Sequence, residues 1–346
     1  MIHLPSNIKR VLITGGSGFI GSALVRKLLM ETNIKVYNLD KQSYASKFKC
    51  FQKFSNSKKY QMLNVDLFNE LETKKAIQIS NPDLVFHLAA ESHVDNSIIN
   101  PRIFLDSNIN GTFNLLEALL LHWKSLSNER RKYFRLLHVS TDEVFGSADD
   151  GYFFTEKTRY NPRSPYSATK AASDHLVTSW TNTYGLPSII TNSSNNFGPW
   201  QFPEKFIPLI IRNCLSSQSV PVYGDGKNVR DWIYVDDHID ALIKVILKGK
   251  IGDNYCIGGG ELKTNEEIVE TVCNLLDFHK KENAPHIRFK KYIQDRPGHD
   301  KRYAIDNTKI NDELKWTPKY DFYEGLNLTI SWYIDNPKFL NQHFDI

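Results

Sequence analysis

Residues 9–21 constrain this chain more than any other stretch, because Lys-Arg-Val-Leu-Ile-Thr runs directly into Gly-Gly-Ser-Gly-Phe-Ile-Gly. Lys9 to Thr14 reads as a short buried strand, Gly15 to Gly21 as a turn, and Phe19 to Met30 as a helix with Ile20, Ala23, Leu24 and Leu28 facing inward. The glycines satisfy two spacings at once, Gly16-x-Gly18-x-x-Gly21 and Gly15-x-x-Gly18-x-x-Gly21. A glycine turn that opens a helix lets the backbone approach a pyrophosphate, whose charge sits at the helix N-terminus. Asp40 closes the next strand-like run, where it would bond the ribose hydroxyls of a dinucleotide and repel a 2′-phosphate, favouring NAD over NADP. A turn that merely packs helix on strand is the plainer alternative, and the flanking strand, helix and acid weigh against it. Asp66, at the end of a third run, suits either a cap for the following helix or a partner for the adenine amine.

The same βα pattern continues. Strand-like runs recur at Lys35 to Leu39, Gln61 to Val65, Leu84 to Leu88, Leu136 to Val139 and Ser188 to Thr191, mostly separated by helical segments. Such alternation implies an α/β chain with a Rossmann-type, doubly wound parallel sheet. After Asn192 prolines and aromatics break the rhythm, which predicts a smaller, mixed α/β C-terminal substrate domain. The expected division is 1–191 for the dinucleotide and 192–346 for the substrate, with 230–248 crossing back, since Asp236 to Lys248 reads as an amphipathic helix.

With 346 residues, 41% of them hydrophobic, the chain can bury a large core. A net charge of +4 is too small and scattered to indicate nucleic acid, and the lysines and phenylalanines between Lys41 and Lys59 read as a solvated loop. Cys50, Cys214, Cys256 and Cys273 lie far apart, with no zinc-ligand spacing, so no metal is expected. No run approaches the ~20 apolar residues of a spanning helix, and a soluble cytoplasmic protein is the expectation.

Two short strings carry chemistry. Tyr166-Ser167-Ala168-Thr169-Lys170 puts a phenol and an ammonium one helical turn apart behind Pro165, and a nearby cation stabilises a phenolate that could serve as a base for alcohol oxidation. An apolar strand ending at Ser140 runs into Thr141-Asp142-Glu143, a hydroxyl and two carboxylates at a sheet end, where open α/β folds place ligands. Alone, the first string would be an exposed helix face and the second a solvated turn.

Together with HLAAESHVD, NNFGPWQFPEKFIPL, VYGDGKNVRDWIYVDDH and DRPGHDKRYAID, these strings resemble the nucleotide-sugar 4,6-dehydratases of the extended short-chain dehydrogenase family, in particular those acting on dTDP-glucose. The resemblance implies that Thr141 and Tyr166 contact the sugar O4, that Lys170 holds the nicotinamide ribose, that Asp142 protonates the departing C6 hydroxyl and that Glu143 removes the C5 proton. Tyr166 would begin by taking the O4 proton as hydride leaves C4 for NAD, and the hydride would return to C6. It further implies cofactor contacts at Gly15, Gly18, Phe19, Ile20, Gly21, Asp40, Lys41, Ser43, Asp66, Leu67, Leu88, Ala89, Ala90, Ser107, Tyr166, Lys170 and Asn196. Nucleotide-sugar contacts are implied at Ser92, Thr141, Asn195, Lys205, Phe206, Pro221, Tyr223, Arg230, Asn265, Arg296, His299 and Tyr303. Arg230, Arg296 and Lys205 suit a diphosphate, because guanidinium forks bind phosphate oxygens in pairs.

Three positions depart from the common pattern: Asn96 where many members carry Arg, and Phe145 and Phe197 where tyrosines are common. The family also dimerises through helices corresponding to Asn108 to Trp123 and Tyr166 to Thr183, so a homodimer is implied. The rival readings are a UDP-glucose or GDP-mannose 4,6-dehydratase and, from another class, a catalytically silent NAD-binding scaffold; five intact catalytic positions argue against the latter.

Overall fold

The computed structural model describes residues 2–340 except 44, 45, 47, 48 and 55. In chain order the described strands are β1 (Arg10–Thr14), β2 (Lys35–Asp40), β3 (Tyr60–Asn64), β4 (Leu84–His87), β5 (Arg135–Thr141), β6 (Ser188–Ser193), β7 (Asn195–Phe197), β8 (Val220–Tyr223), β9 (Val229–Tyr234), β10 (Asn254–Ile257), β11 (Leu262–Thr264) and β12 (Lys290–Ile293). The helices that position the site are α1 (Phe19–Glu31), α2 (Glu70–Ser80), α3 (Val94–Ile99), α4 (Pro101–Phe104), α5 (Gly111–Ser125), α6 (Asn128–Tyr133), α7 (Pro165–Tyr184), α8 (Phe206–Leu215) and α9 (Val235–Lys248). Helices α10 (Asn265–His279), α11 (Thr308–Leu314), α12 (Phe322–Asp335) and α13 (Pro337–Leu340) follow.

Seven strands form one parallel sheet in the order β10-β6-β5-β4-β1-β2-β3. The chain is therefore a doubly wound α/β protein whose strand order reverses between β1 and β4, the place where such sheets open a crevice. Both faces are covered, so the central strands are buried without alternation. Val11 and Ile13 join Leu24 and Leu28 of α1 and Ile239, Leu242 and Ile246 of α9 in one core. Leu12, pointing the other way, packs with Ile77 of α2, Leu115 and Leu119 of α5 and Val177 of α7.

The remaining strands make two small sheets, β11-β9-β7 and β12-β8, around a separate core of Ile207, Ile210, Val222, Ile268, Val272, Leu326 and Ile330. The chain returns from them to the large sheet through β10, which pairs in parallel with β6. Nothing in the local sequence had marked β10. The Lys41–Lys59 segment also differs from a solvated loop: Cys50 is buried, and Phe51 stacks on Tyr60 at 5.3 Å, because the aromatic rings gain more by packing against the core than by facing water. Lys47 and Phe48 of that segment lie outside the described residues.

Local sequence explains the two helices that matter most. α1 starts at Gly18 with no side-chain cap, which leaves its first N–H groups unpaired at the end of the sheet. α7 starts with a capping box: Ser164 Oγ accepts from Ser167 N and Ser167 Oγ accepts from Ser164 N, both at 3.0 Å, with Pro165 at the first helical position. Gly185, at φ 74°, closes the helix.

Candidate active site

A cleft of about 340 Å³ opens over the C-terminal ends of β1, β2, β4, β5 and β6. Its floor is the glycine turn. Gly15 has φ +69°, and a Cβ there would lie 2.6 Å from Ala89 N; a Cβ on Gly21 would lie 2.2 Å from Gly15 O. Gly18 lacks such crowding, with only Gly15 O at 3.4 Å, so its open side faces the cleft.

Every cofactor position named from the sequence lines this cleft, from Gly15 through Ser107 to Asn196. The Asp40 carboxylate accepts from Ser17 N (3.0 Å), Gln42 N (2.7 Å) and Ser46 Oγ (3.1 Å). Burial raises its pKa, while those hydrogen bonds pull it back. Lys41 is tied to Glu91 at 2.7 Å. Asp66 lines the cleft with Oδ1 accepting from Phe68 N at 3.0 Å, whereas the cap of α2 is Asn69, which accepts from Glu72 N. Asn196 is backed by the buried His238, whose Nδ1 lies 2.7 Å from Asn196 Oδ1.

The two chemical strings meet at the inner end of the cleft. β5 runs through Ser140 and delivers Thr141 as its last residue, and a short 3-10 turn, Asp142–Phe145, follows. Thr141 Oγ1 accepts from Glu143 N and lies 3.3 Å from Asp142 Oδ1, which shapes that turn. Tyr166 and Lys170 come from the first two turns of α7 and are both buried. Lys170 Nζ donates to Val139 O at 3.0 Å. The expectation of a phenol held acidic by its lysine is not met here: burial pushes the Tyr166 pKa well above its usual range, Glu143 adds to this, and the hydrogen bond to Thr141 pulls the other way.

Asp142 and Glu143 are separated by environment. Burial raises Asp142 well above the usual carboxylate range, and the charges of Glu143 and Asp231 add to it. Burial raises Glu143 too, but Arg230 and Lys205 oppose the shift. Asp142 is thus the group more readily protonated, and Glu143 the one more readily ionised, an acid and a base side by side.

A second cleft of about 240 Å³ joins the first at Ser92, Asn195, Lys205 and Glu143. Phe206, Pro221, Tyr223, Arg230, Asn265, Arg296, His299 and Tyr303 line it, whereas Thr141 lines only the first. The Arg230 guanidinium lies 4.2 Å over the Tyr303 ring and donates to Asp300 O at 2.8 Å; that of Arg296 lies 4.7 Å over Tyr223 and pairs with Asp95 at 3.1 Å. Lys205 Nζ donates to Ser92 O at 3.0 Å, and His299 Nδ1 meets Asp295 at 2.6 Å. Lys205, Arg230 and Arg296 thus stand at one mouth, among the carboxylates of Asp95, Glu143, Glu204 and Asp300.

Sequence reasoning missed Ser46, Glu91, His93 and Glu204, which line these clefts. Glu91 and His93 lie inside the string HLAAESHVD and were findable there; Ser46 reaches Asp40 through a loop with no periodic signal. Among the described residues no group of three His, Cys, Asp or Glu side chains could hold a metal, and no helix is long and apolar enough to cross a membrane.

A family model described as GDP-mannose 4,6 dehydratase matches residues 12–329. The chain is 48% identical over 335 residues to the dTDP-glucose 4,6-dehydratase of Neisseria gonorrhoeae, spanning 95% of this chain and 96% of that protein. It is 45% identical over 341 residues to dTDP-glucose 4,6-dehydratase 1 of Escherichia coli K12, spanning 96% and 94%. Among solved structures, the dTDP-glucose 4,6-dehydratase of Streptomyces venezuelae, with NAD and TYD bound, superposes with a TM-score of 0.87 at 37% identity over 95% of this chain and 98% of that one. A UDP-glucose 4-epimerase of Thermus thermophilus in complex with NAD gives 0.82 at 28% identity, over 94% and 99%.

Proposed function

Because the chain belongs to the dTDP-glucose 4,6-dehydratase family, we propose that it removes water from dTDP-glucose to give dTDP-4-keto-6-deoxyglucose. It is an NAD-dependent hydro-lyase, and dTDP-glucose is its nucleotide-sugar substrate. The single observation that carries the reading is the position of Glu143: it lines both clefts, so the Thr141-Asp142-Glu143 string stands where the cleft over the glycine turn meets the cleft that holds Arg230, Arg296 and Lys205.

The first cleft fits NAD on its own terms. Gly18 leaves room at the uncapped start of α1, and Asp40 presents a carboxylate at the end of β2. When bound, NAD supplies the acceptor and later the donor of one hydride.

The rest is work for side chains. Tyr166 takes the O4 proton, aided by the bond from Thr141, and Lys170 holds the nicotinamide ribose. Oxidation at C4 acidifies the C5 hydrogen; Glu143 removes it while Asp142, protonated in its buried site, gives its proton to the departing C6 hydroxyl. Arg230, Arg296 and Lys205 hold the diphosphate. The division of labour is 1–191 for the cofactor and 192–346 for the nucleotide-sugar; of the 230–248 stretch expected to cross back, α9 packs on the large sheet while β9, with Arg230, stays with the second cleft. The enzyme acts in the cytoplasm as a homodimer, with α5 and α7 as its contact: Phe113, Leu121 and Tyr184 stand exposed there, and Trp180 bridges Phe113 and Tyr184 edge-on.

Purified protein given dTDP-glucose, UDP-glucose and GDP-mannose separately should convert the first fastest, to a product lighter by one water by mass spectrometry. Faster turnover of UDP-glucose or GDP-mannose would move the assignment to that substrate, and no product from any of them would favour the silent scaffold.

A further inference from the structure

Asp174 lines neither cleft, yet it lies on the face of α7 that carries the chemistry, one turn beyond Lys170 and two beyond Tyr166. It is fully buried, and its carboxylate accepts hydrogen bonds from three side chains: His138 Nε2 at 3.0 Å, Ser140 Oγ at 2.7 Å and Tyr160 Oη at 2.9 Å. His138 and Ser140 are alternate residues of β5 and share one face of the strand. Between them Val139 turns its carbonyl to Lys170 Nζ. One carboxylate and one ammonium of α7 therefore grip three successive residues of β5 immediately before Thr141.

We propose that Asp174 is a positioning residue for the dehydration: it locks α7 against β5 so that Tyr166 and Lys170 meet Thr141-Asp142-Glu143 in register, and it supplies the buried negative charge that Lys170 faces. The inference rests on the roles given above to Tyr166 and Lys170.

The surrounding charges agree with the geometry. Burial lowers the Lys170 pKa, and the charge of Asp174 opposes it. The two histidines near Lys170 bring no competing charge, since burial pushes both His87 and His138 below their usual value. Burial raises Tyr160, and Asp174 adds to the rise, so its phenol stays neutral and donating. Tyr166 faces Glu143 and Asp142 from the 3-10 turn and Asp174 from its own helix.

Removing a negative charge lowers the pKa of every titrating neighbour. Tyr166 must lose a proton for the reaction to start and Lys170 must keep its own, so the two limbs of the kcat–pH profile report these two groups. Asp174→Asn should therefore move both limbs to lower pH by about one unit. It should also cut kcat at the optimum roughly tenfold or more through lost register, with KM for dTDP-glucose unchanged. Tyr160→Phe removes one donor but keeps the carboxylate, leaving its charge less neutralised, so both limbs should move to higher pH; this variant carries the test if Asp174→Asn does not fold. A folded Asp174→Asn enzyme that loses only thermal stability, with both limbs where the wild type has them, overturns the proposal, as does an unmoved profile in Tyr160→Phe. Tyr166→Phe run alongside keeps the two readings apart: wild-type turnover there would sink the assignment of Tyr166 and not the role of Asp174 alone.

Discussion

Asp142 and Glu143 are neighbours in the chain and both feel Arg230, but Lys205 and Arg296 also pull on Glu143. Arg230 and Lys205 pull Glu143 toward its ionised form, while Asp142 has Glu143 and Asp231 raising it further. The two half-reactions should consequently come apart by mutation. Glu143→Gln keeps the shape of the side chain but cannot accept the C5 proton, so adding dTDP-glucose should raise a lasting absorbance of reduced nicotinamide while 4-keto-6-deoxy product forms on the order of 10² to 10⁴-fold more slowly. Product formation at the wild-type rate would remove Glu143 from the elimination. The catalytic strings were legible because each is contiguous and each has a chemical signature. The charge of Asp231 that raises Asp142 was not, since it reaches the site only through β9. Asp174 was equally silent: its partners on β5 stand 34 and 36 positions away.

Among elements, α7 carries the most, and its two ends should respond differently to mutation. Ser164→Ala breaks the capping box directly ahead of Tyr166, costing about 1 kcal/mol of stability and, because the first turn frays, part of kcat. Gly185→Ala at the far end strains a left-handed residue by a similar amount, roughly 1 kcal/mol, and a Cβ there meets only Trp123 at an ordinary 3.8 Å. Thermal melts should fall in both variants and turnover in the first alone; equal loss of turnover would mean that the helix transmits disorder along its whole length. Much of this layer was readable from local signals. The glycine turn, Pro165 and the apolar runs of β1, β4 and β6 each announce themselves within a few residues. The π-helical turn Leu105–Asn110 does not, because Asn108 within it binds Glu91 O at 3.1 Å and Thr169 Oγ1 at 2.9 Å, partners that only the tertiary fold brings near.

At the scale of the whole molecule, Phe113 and Leu121 lie eight residues apart on one face of α5, and Trp180 and Tyr184 extend that face onto α7. A double Phe113→Glu, Leu121→Glu variant should sediment at half the mass of the wild type, and a wild type that sediments as a monomer would remove this face from the account. Local pattern fell short at this scale too, since the return of β10 to the large sheet depends on a pairing that spans everything from β7 onward. That pairing has a consequence for a chain still emerging from the ribosome. Until Asn254–Ile257 has been made, β6 has β5 on one side and a bare row of amide and carbonyl groups on the other. An unpaired edge of this kind invites another strand to dock, so the nascent protein passes more than sixty residues of synthesis with this border unguarded, and is exposed to mispairing and to chaperone capture in that interval.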